Sequence, residues 1–124
     1  MKTSSCKAKG RRLQQAVRDA LLENFKTLEP DDIRSTGMGQ KGTDLQLSPA
    51  AKKQIPFSFE MKNQENINIW ASLAQAEKNV QPKTFPVLVF KRNRSKTYAC
   101  LEFDVFLQII KNTDFSKINE LKSE

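Results

Sequence analysis

The chain is predicted to fold as one mixed α/β (α+β) domain, in which helices flank a central mixed β-sheet. Its 124 residues are 38% hydrophobic and 28% charged, which is ordinary for a globular domain with a modest core. Segments with helical spacing of apolar residues alternate with short segments of strand periodicity. A flexible basic arm is expected over residues 1–9, the domain over 10–111, and a polar tail over 112–124.

The first half of the chain is predicted to form one helix and three strands. Apolar residues recur at helical spacing from about Arg11 to Lys26, which predicts the helix. After the helix-breaking residues 29–32, a short strand is expected over 32–36. Alternation beginning at Asp44 and over residues 57–62 predicts two more strands, joined by a long loop over 49–56.

The second half is predicted to form two helices and a strand pair. A helix follows Asn68, and the residues at helical spacing that include its core face begin with Ile69, Trp70 and Leu73. Trp70 is expected to be a core or interface residue. Residues 85–90 read as a buried strand, and residues 97–103 as its partner across the basic turn 91–96, a candidate for phosphate contact. Asp104 is expected to cap a last short helix that ends near Lys111.

Asp44, Glu60 and Lys62 are the candidate catalytic residues. Strand periodicity puts Glu60 and Lys62 on one face, and a hairpin following the glycine-rich turn 37–42 would bring Asp44 beside Glu60. Two carboxylates suit Mg²⁺, and a lysine can orient the attacking water or stabilise charge on a phosphate. The alternative is that Asp44 caps a turn while Glu60 and Lys62 lie on a solvated strand face.

The segment 34–43 is glycine-rich, basic and hydroxyl-bearing, so its backbone can approach a phosphate closely. It is not a P-loop, because Gly42 is followed by Thr43-Asp44 and not by Lys and a hydroxyl residue. The sequence therefore does not support nucleotide hydrolysis. A plain mobile hairpin loop is the alternative interpretation.

The charge balance favours a polyanionic partner. There are 21 Lys and Arg residues against 14 Asp and Glu, a net charge of +7, and nucleic acid is the simplest such partner. An anionic membrane surface is the competing interpretation, but no segment approaches the length of an apolar span. The candidate DNA contacts on helices and loops are Arg11, Arg18, Arg34, Lys41, Lys52, Lys53, Gln75 and Lys78.

The histidine and cysteine content restricts the kinds of metal site and catalysis that the chain can support. The chain has no histidine and two cysteines, Cys6 and Cys100, which argues against zinc sites and histidine-based catalysis. The N-terminal residues lack the apolar core of a secretory signal. A cytoplasmic protein with reduced thiols is therefore expected.

The order of elements, with Asp44 and Glu60-Met61-Lys62 on the second and third strands, resembles the PD-(D/E)XK nuclease superfamily over about Lys9 to Phe106. Lys9-Gly10, Ser35-Thr36-Gly37 and Gln75-Ala76-Glu77-Lys78 are similar to segments of archaeal-type Holliday junction resolvases and their phage relatives. The resemblance implies a restriction-endonuclease-like core, metal-dependent cleavage of four-way DNA junctions, and a homodimer. For a phage-encoded member, it implies the cytoplasm of the host.

The resemblance also implies roles for individual residues. Asp44, Glu60 and the Met61 carbonyl would bind Mg²⁺, or Mn²⁺ in its place, and Lys62 would assist the water. Ser35 would match the hydroxyl residue of a mobile catalytic loop, and Lys9 would join the DNA contacts.

Two departures from the family pattern are present. Thr43 stands where a proline usually precedes the aspartate, and Gln14 or Gln15 stands where family members carry a glutamate in the first helix. Gln14 is the better match, because its flank of the helix also carries Arg18. An amide binds metal more weakly than a carboxylate. A nuclease of other specificity (nicking, restriction-like or DNA-degrading) and a catalytically weak DNA-binding module of the same fold are the alternatives.

Overall fold

The computed structural model describes residues 3–37 and 42–118, with side chains from Ser5 onward. Four helices and five strands alternate along this part of the chain, and a 3-10 turn, Pro30–Asp32, precedes the first strand. In order they are α1 (Thr3–Asn24), β1 (Ile33–Ser35), β2 (Leu45–Leu47), α2 (Pro49–Gln54), β3 (Phe57–Asn63), α3 (Ile69–Lys78), β4 (Phe85–Lys91), β5 (Tyr98–Cys100) and α4 (Phe103–Lys111). The predicted mixed α+β class is confirmed.

The main sheet has the strand order β3-β4-β5 and is mixed. β3 and β4 run parallel, with Glu60 beside Leu88, and α3 provides the crossover that a parallel pair requires. β4 and β5 are antiparallel, with Phe90 beside Tyr98. β1 and β2 form the predicted antiparallel hairpin, which meets β3 where the amide of Asp44 donates to the Phe59 carbonyl at 2.9 Å.

The hydrophobic core lies on one face of the main sheet. Alternate residues of β3 and β4, Phe59, Met61, Val87 and Val89, pack with Leu13 of α1. Ile33 of β1 and Leu45 of β2 are fully buried in the same cluster, so the small hairpin is anchored to this core. The opposite face of β3 carries Ser58, Glu60 and Lys62, as strand alternation predicts.

The first helix begins earlier than predicted. α1 starts at Thr3 and not near Arg11, so residues 3–9, which we expected in a flexible arm, belong to the helix. The segment contains no proline, and the side-chain amide of Asn63 donates to the Lys9 carbonyl at 3.1 Å. This tertiary contact with the end of β3 holds a turn whose polar sequence gives no core stripe.

The connection between β2 and β3 contains a helix where a loop was predicted. The Ser48 side chain accepts a hydrogen bond from the Ala51 amide at 3.1 Å, and Pro49 occupies the first helical turn. A hydroxyl cap followed by proline is a helix start signal. Ala51 is buried and anchors this short helix.

Two details of the later helices differ from prediction. Trp70 is 82% exposed, so it is not a core residue, and Ser72 and Ala76 are the buried residues of α3. α4 begins at Phe103 after Glu102, whose side chain makes no capping bond, so Asp104 is inside the first turn and is not the cap. Within the described ranges, no helix is long and apolar enough to cross a membrane.

Candidate active site

Asp44, Glu60 and Lys62 line one cavity of about 290 Å³ at the edge of the main sheet. β3 forms its floor, the first half of α1 forms one wall, and Gln75 reaches it from α3. Thr36 and Gly37 close it on the side of the hairpin. The structure therefore brings together the three side chains that the sequence singled out.

Asp44 is held against β3 by a set of short hydrogen bonds. Its neighbour Thr43 donates from the hydroxyl to the Phe59 carbonyl at 2.8 Å, and the Met61 amide donates to Oδ2 of Asp44 at 2.7 Å. The Thr36 hydroxyl donates to the Thr43 carbonyl at 2.6 Å. Both threonines are buried, so the carboxylate of Asp44 has a fixed position beside Glu60.

Glu60 is a buried carboxyl group with an unsatisfied oxygen. Its residue is 3% exposed, and among the residues of the described ranges Oε1 has no hydrogen-bond partner. Oε2 lies 3.8 Å from Nζ of Lys62. Burial, and then the charge of Asp44, raise the pKa of Glu60 to about 7, although the charge of Lys62 and the side chain of Asn79 oppose the shift.

Asp44 is perturbed in the same direction. Burial raises the pKa of Asp44, against the opposing effects of the Met61 amide and the Lys62 charge. Because burial disfavours the charged form of both carboxyl groups and the charge of Asp44 also opposes ionisation of Glu60, a further cation at this site would stabilise the charged state.

The oxygen donors of this cavity suit Mg²⁺, which keeps several of its waters, and they do not form a cage that surrounds an ion with protein ligands alone. In the part of the chain that the structure describes, no group of three or more His, Cys, Asp or Glu side chains could hold a metal ion. Mg²⁺ commonly uses only one or two carboxylates, with the remaining positions filled by waters and substrate phosphate. Asp44, the orphaned Oε1 of Glu60 and the backbone of Met61, which lines the same cavity, match this requirement.

The choice between Gln14 and Gln15 is decided by their directions. Gln14 lines the cavity. Gln15 is exposed, and its side-chain amide donates to Asp19 at 2.9 Å. Gln14 is therefore the residue of α1 placed to contact a ligand of the two carboxylates.

Ser35 does not lie where the resemblance implied. It is exposed at the end of β1 and is not among the residues that line the cavity, whereas the next residue, Thr36, is. The Thr36 hydroxyl is occupied by the Thr43 carbonyl, so it has a positioning role. Sequence reasoning missed Thr36, although a second hydroxyl directly after Ser35 was the available signal.

Other cavity residues were missed because element boundaries were set too short. Cys6 and Lys7 were assigned to the arm, and Asn63 and Gln64 follow the predicted end of the strand at Lys62. All four line the cavity. Cys6 and Lys7 lie on the longer α1 of the structure and Asn63 on its longer β3, and Gln64 directly follows that strand.

The proposed DNA contacts divide by environment. Arg18 donates to the carbonyls of Ile33 at 2.6 Å and Pro30 at 2.9 Å, so its guanidinium serves the fold. Arg34 lies 3.6 Å from Asp31 at the surface. Arg11, Lys53, Gln75 and Lys78 are exposed, and Lys9 and Lys52 are partly buried. Lys41 lies outside the described residues.

Comparison of the chain with protein-family models, with curated proteins and with solved structures found no match in any of the three.

Proposed function

We propose that this chain is a Mg²⁺-dependent DNA endonuclease of the PD-(D/E)XK type, with a restriction-endonuclease-like core. The observation that carries the proposal is the buried Glu60, whose Oε1 has no partner among the described residues, beside Asp44 and Lys62 in one open cavity. An unsatisfied buried carboxylate oxygen is costly, and such groups concentrate at functional sites.

The chemistry divides among the residues of the cavity. Asp44, Glu60 and the Met61 carbonyl would hold the ion. A bound Mg²⁺ supplies a water of lowered pKa and neutralises charge on the phosphate. The Lys62 ammonium orients the attacking water and stabilises the charge that develops on the phosphate. Mn²⁺, with similar oxygen preference, is expected to substitute.

Four-way DNA junctions are the proposed substrate, which would make the protein a Holliday junction resolvase acting in DNA recombination in the cytoplasm. The support is the similarity of short segments to phage and archaeal-type resolvases, together with the net charge of +7. Exposed Arg11, Lys53 and Lys78 are placed to contact backbone phosphates.

Resolution by paired cuts would require a homodimer, and an exposed apolar face supports one. Trp70 is 82% and Phe103 67% exposed, and both line one apolar cavity. Phe106 continues the face from Phe103, with ring centroids 6.4 Å apart. Large apolar patches of this kind mark interaction sites, and we propose a second copy as the partner. Light scattering after size exclusion should give a dimer, and a strict monomer on junction DNA would contradict paired cleavage.

The alternatives keep the fold but change the activity. A nuclease that nicks, restricts or degrades DNA would use the same phosphate chemistry, because the cavity contacts phosphate and not branch geometry. A catalytically weak DNA-binding module is favoured by one observation, the amide of Gln14 in the position of the family's glutamate.

Replacement of Glu60 tests the proposed activity directly. Glu60→Ala should bind DNA like wild type in EDTA but should not cut it in Mg²⁺, because one of the two carboxylates is gone. Glu23→Ala, which removes an exposed glutamate of α1, should leave both properties unchanged. Full cleavage by Glu60→Ala would remove the proposed site.

A further inference from the structure

A second cavity, of about 230 Å³, lies beside the active site at the end of β3 and the turn between β4 and β5. Phe90 and Tyr98 form an aromatic pair across the two strands, with ring centroids 6.1 Å apart. Ile67 and Ile69 line its apolar side, and Lys91 and Arg92 line its edge. Its volume is below the roughly 300 Å³ at which pockets for drug-sized ligands begin, which suits a single planar ring system.

The two cavities are neighbours along the same strand end. Gln64 lines both of them. The backbone amide of Gln64 donates to the Lys91 carbonyl at 3.1 Å, which fixes the segment between the two cavities. A chain-like ligand that reaches the carboxylates can therefore continue past Gln64 into the second cavity.

The lining favours a nucleobase over a phosphate. Tyr98 is 54% exposed and offers a ring face, on which bases stack regardless of their identity. The Glu65 carboxylate also lines the cavity, where it accepts a hydrogen bond of 2.6 Å from the backbone amide of Asn93. Its negative charge would repel a phosphate. Lys91 and Arg92, joined by the exposed Arg94 and Lys96 of the same turn, suit the phosphates on either side of such a base.

We propose that this second cavity receives one unpaired base of the DNA strand whose phosphate lies at Asp44 and Glu60. The inference rests on the proposed nuclease function and narrows its substrate to DNA with an unpaired nucleotide beside the cut, as at an open branch point or fork. A paired base would first have to leave the helical stack, which costs free energy that an already unpaired base does not require.

Binding in EDTA tests this without any cleavage. A forked DNA with 2-aminopurine, a fluorescent adenine analogue, at its first unpaired position should bind with quenching. Tyr98→Ala should abolish the quenching and weaken binding by about 5- to 150-fold, the range of one base–aromatic stack. Tyr98→Phe should behave like wild type, and Phe85→Ala, which removes an exposed ring at the opposite end of β4, should change neither.

Binding of a fully paired duplex separates stacking from general attraction. Tyr98→Ala should leave duplex affinity unchanged. An equal loss of affinity for fork and duplex, or no loss of affinity for either, would overturn the proposal. If Tyr98→Ala has an altered circular dichroism spectrum, Tyr98→Leu would replace it.

Failure of this inference and failure of the nuclease assignment give different results. Metal-dependent cutting that Tyr98→Ala leaves unchanged on every DNA would overturn the base cavity alone. Quenching that depends on Tyr98, with no cutting in Mg²⁺ or Mn²⁺, would uphold the cavity and overturn the nuclease.

Discussion

The Met61 amide donates a hydrogen bond of 2.7 Å to the Asp44 carboxylate, which joins the start of β2 to the middle of β3. Because Met61 directly follows Glu60, this bond fixes the two acidic residues relative to each other. It also satisfies one oxygen of Asp44, while Oε1 of Glu60 lacks a partner in the described part of the chain. The hydrogen bond therefore fixes the relative positions of the two carboxyl groups, and Oε1 of Glu60 remains available to a cation.

The stability of the metal-free protein should depend on the ionisation of Glu60. Its pKa is about 7 in the folded state against an ordinary value of 4.5, so the folded state binds the proton more tightly. The stabilising contribution is complete below about pH 4.5 and is lost as the pH rises through 7, a change of roughly 3 kcal/mol. Urea unfolding in EDTA at pH 4.5 and pH 8 should show this loss relative to Glu60→Gln.

Mg²⁺ provides the matching control. At pH 8 the ion should stabilise wild type, because it binds the folded state. It should not stabilise Glu60→Gln. Equal stabilisation of both proteins would show that the ion binds elsewhere.

Lys62→Ala should slow cleavage by about 10²- to 10³-fold, the usual effect of removing one group that stabilises developing charge. Lys62 also lowers the pKa of Glu60, so the rising limb of the pH–rate profile should move to higher pH. Single-turnover rates across pH measure both effects. Lys26→Ala, at an exposed position just after α1, is the control, and a Lys62→Ala rate equal to that of this control would exclude a catalytic lysine.

Gln14→Glu should strengthen metal binding. The added carboxylate would enter the cavity beside Asp44 and Glu60 and raise the apparent Mg²⁺ affinity by roughly tenfold, about 1.4 kcal/mol. Calorimetric titration at pH 8 measures it. Gln15→Glu adds the same charge one residue further on, at an exposed site, and should leave the Mg²⁺ affinity unchanged. The same affinity change in both variants would place Gln14 outside the metal site.

Arg18→Ala should weaken the fold and not the contact with DNA. Its guanidinium donates to two carbonyls, those of Ile33 and Pro30, and loss of these bonds should lower the free energy of unfolding by about 2 kcal/mol. Arg11→Ala should change stability by less than about 0.5 kcal/mol but reduce DNA affinity. Urea unfolding and fluorescence anisotropy separate the two, and the reverse pattern would contradict these assignments.

Strand periodicity predicted the central part of the site well. The alternation over residues 57–62 places Glu60 and Lys62 together because every second strand residue shares a face. The hairpin before Leu45 likewise follows from the glycine-rich turn. These features depend on local geometry, which a sequence expresses directly.

The missed features depend on tertiary contacts or on local signals interpreted wrongly. The start of α1 is held by Asn63, far away in sequence, and no local pattern predicts such a contact. Ser48-Pro49 is a capping signal from which the start of α2 can be predicted, whereas Pro49 and Pro56 by themselves indicate a loop. Helical spacing predicts Trp70 as a core or interface residue, and its 82% exposure excludes the core.

The most direct test is cleavage of a labelled four-way junction beside duplex, single-stranded and flap DNA of matching sequence, with Mg²⁺ or EDTA. Wild type should cut the junction in pairs, only with the metal, and Asp44→Asn should not cut. Cutting of every substrate would leave a general nuclease in place of a resolvase. Tight binding with no cutting in any metal would contradict the central claim that Asp44, Glu60 and Lys62 form a catalytic site.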